Sequence, residues 1–165
     1  GHTIKRHGDL FIVNYDIPAL LRKNSDDTDI FSMIIRSYLP YREFHRLINA
    51  INQALEEERI ISNPGLYSHV FHYSKGPFDQ IRDAIGYLYA KDGRHEPLKG
   101  IAFARFLVDR GVKMHQILGL IRNPLCMFRT GGGAEESDIF TYTADDTFED
   151  AYSKCERISS QYLLV

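Results

Sequence analysis

Apolar residues recur at helical spacing along most of this chain and alternate at strand spacing in a few short runs. The run LFIVNY at residues 10–15 predicts a buried strand. Residues 29–39 have a helical pattern. A second helix is predicted from Pro40 to about residue 60, where apolar residues repeat every three or four positions. The run LYSHVFHY, at residues 66–73, predicts another strand.

The middle of the chain predicts three helices followed by a β-hairpin. The first helix begins at Pro77 and reaches about residue 90, with Gly93 as its left-handed cap. The second covers residues 97–109 and is apolar on nearly every side, so we expect it to be the most buried. The third covers residues 113–122. Two strand-like runs, 125–129 and 138–143, then flank a glycine-rich loop.

The last part of the chain, residues 144–164, predicts a closing helix with Asp145 or Asp146 as its cap. The pattern as a whole predicts an α+β, mainly helical fold. It comprises an N-terminal strand and helices, a winged-helix-like three-helix unit with a hairpin, and a C-terminal helix. A length of 165 residues fits a single domain, 1–165. The chain opens with Gly1 and His2 rather than Met, which fits a domain excised from a longer protein.

The stretch FARFLVDRGVKMHQILGLIRNP, at residues 103–124, turns at a glycine between two short helices. A helix-turn-helix needs a residue at its corner that accepts a left-handed conformation, and Gly111 occupies that position. Apolar side chains follow where an inner face requires them, at Val112, Ile117, Leu118 and Leu120. Residues 77–143 therefore resemble the winged-helix, helix-turn-helix regulators, including MerR-like proteins. Leu107 stands where those regulators usually have alanine.

The resemblance implies that the third helix is a recognition helix for nucleic acid. Its outward side chains that could contact a ligand are Lys113, His115, Gln116, Arg122 and Asn123. Lysine and arginine bind phosphates, whereas glutamine and asparagine read base edges. Residues 91–129 contain eight basic and three acidic residues, a local charge of +5 in a chain whose net charge is −2. A basic segment of this kind is typical of a nucleic-acid footprint.

Acidic residues beside this segment favour a different partner. The predicted tip of the hairpin carries Glu135, Glu136 and Asp138, which would repel phosphate. The alternative is therefore a protein–protein interaction or assembly module, and the sequence is compatible with a homo-oligomer.

A second alternative comes from Arg110 and His115, which have four residues between them. This spacing resembles the ribonuclease motif of HEPN domains. That resemblance implies that the histidine transfers protons and the arginine stabilises phosphate charge.

Other chemistry has no complete signature in this sequence, and we expect no cofactor and no metal. His69 and His72 are three positions apart, so on a strand they would face opposite sides. The glycine-rich TGGGAE lacks the Lys-Ser/Thr pair of a phosphate-binding loop. Cys126 and Cys155 lack ligand spacing, and isolated thiols favour an intracellular, cytoplasmic location. No apolar run is long enough to cross a membrane.

Overall fold

The computed structural model describes residues 4–7, 10–13, 31–38, 41–60 and 71–161. In these residues the fold is α+β and mainly helical, as the sequence predicts. The N-terminal hairpin belongs to one compact unit, and residues 34–162 form another. None of the described helices combines the length and the apolar character needed to cross a bilayer.

The described elements follow one another in this order: β1 (Ile4–His7), β2 (Leu10–Val13), α1 (Tyr41–Glu57), α2 (Pro77–Tyr87), a 3₁₀ turn (Leu98–Gly100), α3 (Ala102–Asp109), α4 (Met114–Arg122), β3 (Leu125–Thr130), β4 (Gly133–Asp138), α5 (Ile139–Tyr142), α6 (Phe148–Cys155) and β5 (Ile158–Gln161).

The N-terminal part agrees with the sequence only in places. The predicted strand is confirmed at residues 10–13 as β2, which pairs antiparallel with β1; residues 14–15 lie outside the described part. The prediction of a helix at residues 29–39 is wrong for residues 31–38, which are irregular. Their apolar side chains are largely exposed, as Phe31 at 87% and Tyr38 at 89% illustrate. A short helix whose apolar side chains are not packed against a core has only marginal stability in water.

The helix predicted from Pro40 is α1, although Pro40 itself is outside the described residues. Its apolar stripe has one buried member, Ile48, while Phe44, Ile51 and Leu55 are half-buried. Of the strand predicted at residues 66–73, only 71–73 are described, and these are irregular rather than extended in a sheet.

The three predicted central helices are confirmed as α2, α3 and α4. The second, however, begins at Ala102 and not at residue 97, because residues 98–100 form a 3₁₀ turn. As expected, α3 is deeply packed, with Phe103, Ala104 and Leu107 fully buried. The cap assigned to Gly93 is wrong. The first helix ends at Tyr87, and Gly93, with φ of 78°, belongs to a tight loop that follows it. In that loop the N–H of Ala90 donates to the carbonyl of Arg94 at 2.8 Å.

The corner between α3 and α4 depends on Gly111, whose φ is 88°. Its N–H donates to the carbonyl of Val108 at 2.9 Å, and the N–H of Val112 donates to that of Leu107 at 3.0 Å. These two bonds satisfy carbonyls at the end of α3 and constitute a Schellman motif, which requires a residue in the left-handed region. The sequence therefore predicted the corner and its physical cause.

The predicted hairpin is present, but its second strand does not occupy the predicted residues. Thr130 pairs with Gly133 across a two-residue turn, so β4 occupies residues 133–138 instead of 138–143. Residues 139–142 form α5, because the Asp138 carboxylate accepts the N–H of Thr141 at 2.9 Å and caps a helix there.

The closing helix is shorter than predicted. Its cap is Thr147, whose hydroxyl accepts the N–H of Asp150 at 3.1 Å, and neither Asp145 nor Asp146 has that role. The helix α6 ends at Cys155, and β5 follows in the region predicted to be helical. Because β5 pairs antiparallel with β3, the sheet has the order β4-β3-β5.

Candidate nucleic-acid interface

The helix α4 presents one side to the core and the other to solvent. Ile117 and Leu120 are buried against the core cluster. The N-terminus of the helix is closed by Gln116, whose Oε1 accepts the N–H of Lys113 at 2.9 Å. The rigid corner before α4 and the buried inner face together fix which side chains remain outside.

The structure leaves four of the five predicted site residues exposed: Lys113, His115, Gln116 and Arg122. The fifth, Asn123, is half-buried at the end of the helix, where its N–H donates to the carbonyl of Gly119 at 2.9 Å. The predicted residues are therefore on one helix, but Asn123 is less accessible than the pattern implied.

Two glutamines set the hydrogen-bonding character of this surface. Because Oε1 of Gln116 is engaged with the backbone, its amide NH₂ is the group left for a ligand. In Gln161 of β5 it is the amide nitrogen that is engaged with the backbone. Its Nε2 donates to the carbonyls of Gly119 at 2.8 Å and Asn123 at 2.6 Å. Its Oε1 therefore remains as an acceptor. Gln161 was missed because its position was predicted to be helical.

Positive charge on α4 is not neutralised by neighbours. Neither Lys113 nor Arg122 forms an ion pair in the described part of the chain. Arg129, near the hairpin turn, donates to the carbonyl of Glu156 at 3.1 Å. Two exposed cations at the ends of one helix can both contact a phosphate backbone.

The acidic residues of the hairpin are not at its tip. The turn consists of Gly131 and Gly132, and Glu135 and Glu136 lie on β4 opposite Phe128 and Met127. This corrects the sequence analysis, since the two-residue turn moves the acids down the strand. The tip itself carries no charge.

A groove of about 570 Å³ runs beside α4. The side chains on its α4 side include His115 and Gln116, together with Gly119. Residues of α6, β5 and the segment between them form the other side, namely Tyr152, Cys155, Glu156, Ile158 and Gln161. Arg110 and Val112 line it next to the corner at Gly111. Sequence reasoning could not find this groove, because its far side comes from a distant segment.

Arg110 and His115, the pair predicted for a ribonuclease, line this same groove. The guanidinium carbon of Arg110 lies 3.4 Å from the ring centroid of Phe106 and 5.7 Å from that of Tyr152. It also forms a long ion pair of 3.8 Å with the exposed carboxylate of Glu149. The Arg110 side chain is thus held against two aromatic rings. The ribonuclease function stays a prediction.

A second groove, of about 450 Å³, lies between the start of α2 and α5 and includes His72. Nε2 of His72 and the hydroxyl of Ser74 both contact Oδ2 of Asp83, at 2.9 and 2.8 Å. The hydrogen bond to Asp83 raises the pKa of His72. Because the hydroxyl donates to the carboxylate and not to the imidazole, the trio is not a nucleophile relay. The other histidine of the pair considered in the sequence, His69, lies outside the described residues.

The described residues contain no group of three or more histidine, cysteine or acidic side chains that could hold a metal ion. Both cysteines are free, and burial raises the pKa of Cys126 and that of Cys155 to about 11. Each is therefore a thiol at neutral pH rather than a reactive thiolate.

Comparison with protein-family models, with curated proteins and with solved structures finds no match.

Proposed function

We propose that this protein is a non-catalytic nucleic-acid-binding protein that uses α3, the Gly111 corner and α4 as a helix-turn-helix of the winged-helix type. The observation that carries the proposal is the outward face of α4, which is polar, exposed and bears the unpaired cations Lys113 and Arg122. Phosphates would be bound at the two ends of the helix, and the side chains between them would meet base edges.

Two further features support this function. The hairpin follows α4 directly and has an uncharged turn, so it can approach a phosphate backbone without repulsion from its tip. The helix α6 packs against α2 and α3, and both Lys113 and Arg122 remain exposed.

The test is the salt dependence of binding to a 20-base-pair DNA duplex, measured by fluorescence anisotropy. We expect affinity to fall as salt rises, and we expect Lys113→Ala with Arg122→Ala to weaken binding about tenfold or more. The slope of log affinity against log salt should fall by about 2, since each phosphate contact contributes about 0.9.

A double variant that removes the same charge elsewhere is the control for this test. Arg46 lies on α1 and Lys75 precedes α2, and both are exposed. Arg46→Ala with Lys75→Ala should leave the affinity within about twofold, because neither residue contacts the proposed interface. Absence of binding at low salt, or equal losses in both double variants, would exclude the proposed function.

A second candidate, protein–protein interaction, is favoured by the segment at residues 34–38. Its exposed apolar side chains are Ile34, Ile35 and Tyr38. Exposed apolar surface is typical of interaction sites. If the segment mediates assembly, sedimentation should show concentration-dependent association that Ile34→Ser weakens and Ile60→Ser, at another exposed isoleucine, does not. A wild-type protein that is monomeric at all concentrations would contradict this candidate.

A further inference from the structure

The groove beside α4 contains an arginine that is oriented before any ligand arrives. A distance of 3.4 Å between the guanidinium carbon of Arg110 and the centre of the Phe106 ring places the cation directly over the ring. At this separation nothing fits between the two groups, so one face of the guanidinium is covered. The Arg110 side chain lines the groove and is 39% exposed, and the Tyr152 ring centroid lies 5.7 Å from its guanidinium carbon.

The Arg110 guanidinium makes little use of its donors in the protein. Its ion pair with Glu149 is long, at 3.8 Å, and Glu149 is 72% exposed. None of its N–H groups donates a hydrogen bond to a described residue. A flat, delocalised cation that is partly exposed and whose donors no described residue uses can stack on a nucleobase and bind an adjacent phosphate.

The remaining groove residues fit the edge of a base better than a simple anion. Gln116 offers donors and Gln161 an acceptor, because the backbone occupies the other half of each amide. Every nucleobase presents both donors and acceptors on its Watson–Crick edge. Glu156, which accepts the hydroxyl of Tyr152 at 2.9 Å, makes the same groove unfavourable for a dense cluster of phosphates.

The groove has the size of a site for a single small ligand. A volume of about 570 Å³ lies in the range of about 300–1,000 Å³ that holds a single small ligand, the size of about one nucleotide. A base can enter such a groove only when it is unstacked and unpaired.

We propose that the groove between α4, α6 and β5 binds an unpaired nucleotide of a single-stranded nucleic acid, with its base stacked on Arg110 and its edge between Gln116 and Gln161. This inference rests on the proposed nucleic-acid binding and extends it. Lys113 and Arg122, at the ends of α4, would bind the phosphate backbone, while the same helix forms one side of the groove that holds a base. Binding in the groove depends on stacking, and so it tolerates different bases.

The experiment compares a 12-nucleotide oligo-dT strand with an abasic strand of the same length, which has the phosphates but no bases. We expect the wild-type protein to bind oligo-dT at least about tenfold more tightly, and Arg110→Gln to remove most of that difference. Arg105→Gln is the matched control, because Arg105 is an exposed arginine of the same helix α3 that does not line the groove.

A variant with the opposite expected effect separates this role from a loss of folding. Glu149→Gln removes the carboxylate that pairs with Arg110, so the affinity for oligo-dT should rise about two- to threefold. Equal binding of the abasic strand, or an affinity for oligo-dT that Arg110→Gln leaves unchanged, would overturn the inference.

The outcome for duplex DNA distinguishes the two proposals. If the duplex binds through Lys113 and Arg122 while oligo-dT binding is independent of Arg110, the groove inference alone fails. If neither the duplex nor oligo-dT binds, both the proposed nucleic-acid function and the groove inference fail.

Discussion

Replacing Phe103 with alanine is expected to lower the free energy of unfolding by about 3–5 kcal/mol. Phe103 is fully buried, and its ring contacts Phe78 of α2 edge-on at a centroid distance of 5.1 Å. It also packs at 4.9 Å against Phe148 of α6. The variant therefore removes the side chain at which α2, α3 and α6 meet and leaves a cavity that rigid helices cannot close. Urea unfolding followed by far-ultraviolet circular dichroism measures the loss.

An exposed aromatic residue provides the comparison for Phe103. Tyr89 is 55% exposed, and its ring is tilted by 32° against that of His95 at a centroid distance of 4.3 Å. Tyr89→Ala should cost no more than about 1 kcal/mol, since most of its surface already contacts water. Similar losses for the two variants would mean that Phe103 is not at the centre of the core, and the assignment of α3 as the central helix would then be wrong.

The elements that the sequence predicted well are those whose causes are local. The corner at Gly111 follows from two hydrogen bonds within six residues, and α2, α3 and α4 each carry an apolar pattern at helical spacing. Such features need no knowledge of distant residues. This is why the site residues on α4 could be named and why four of the five are exposed.

The elements that the sequence missed depend on partners far along the chain. The strand β5 is extended because β3, at least 28 residues earlier, offers its free edge, with Phe128 opposite Ile158. The segment at residues 139–142 has strand-like composition, yet the single cap at Asp138 makes it helical. In both cases a long-range pairing or one side-chain hydrogen bond outweighs the local pattern.

Local and long-range causes also divide the candidate site into a half that could be predicted and a half that could not. Lys113, His115 and Gln116 belong to one helix, and periodicity is enough to place them outside. The opposite side of the groove requires that α6 ends at Cys155 and that β5 returns Gln161 to the carbonyls of α4. A groove built from two segments about 40 residues apart has no signature in either segment alone.

Replacing Gly76 with alanine is expected to lower the free energy of unfolding by about 3 kcal/mol, the upper end of the range for overpacking. Its φ of −169° is ordinary extended backbone, so space and not conformation requires glycine here. An added Cβ would lie 2.4 Å from the carbonyl oxygen of Thr143 and 3.2 Å from the Cα of Ala144. Both are backbone atoms, which cannot move aside as a flexible side chain would.

The backbone around Gly76 is fixed from both sides, which is why the cost should be large. The N–H of Asp145 donates to the carbonyl of Lys75 at 2.8 Å, and the hydroxyl of buried Thr143 donates to the carbonyl of Ile139 at 2.6 Å. Relief of the clash would break the first of these bonds and separate the start of α2 from the end of α5.

Gly86→Ala is the matched control for Gly76→Ala. Gly86 lies in α2, is exposed, and has nothing within 4 Å of the position where a Cβ would be added. Alanine is a better helix former than glycine, so this variant should raise the free energy of unfolding by about 0.5–1 kcal/mol. The two identical substitutions are therefore expected to have opposite signs in the same urea-unfolding measurement. A Gly76→Ala protein as stable as the wild type would show that the segment at residues 143–145 does not lie against the start of α2.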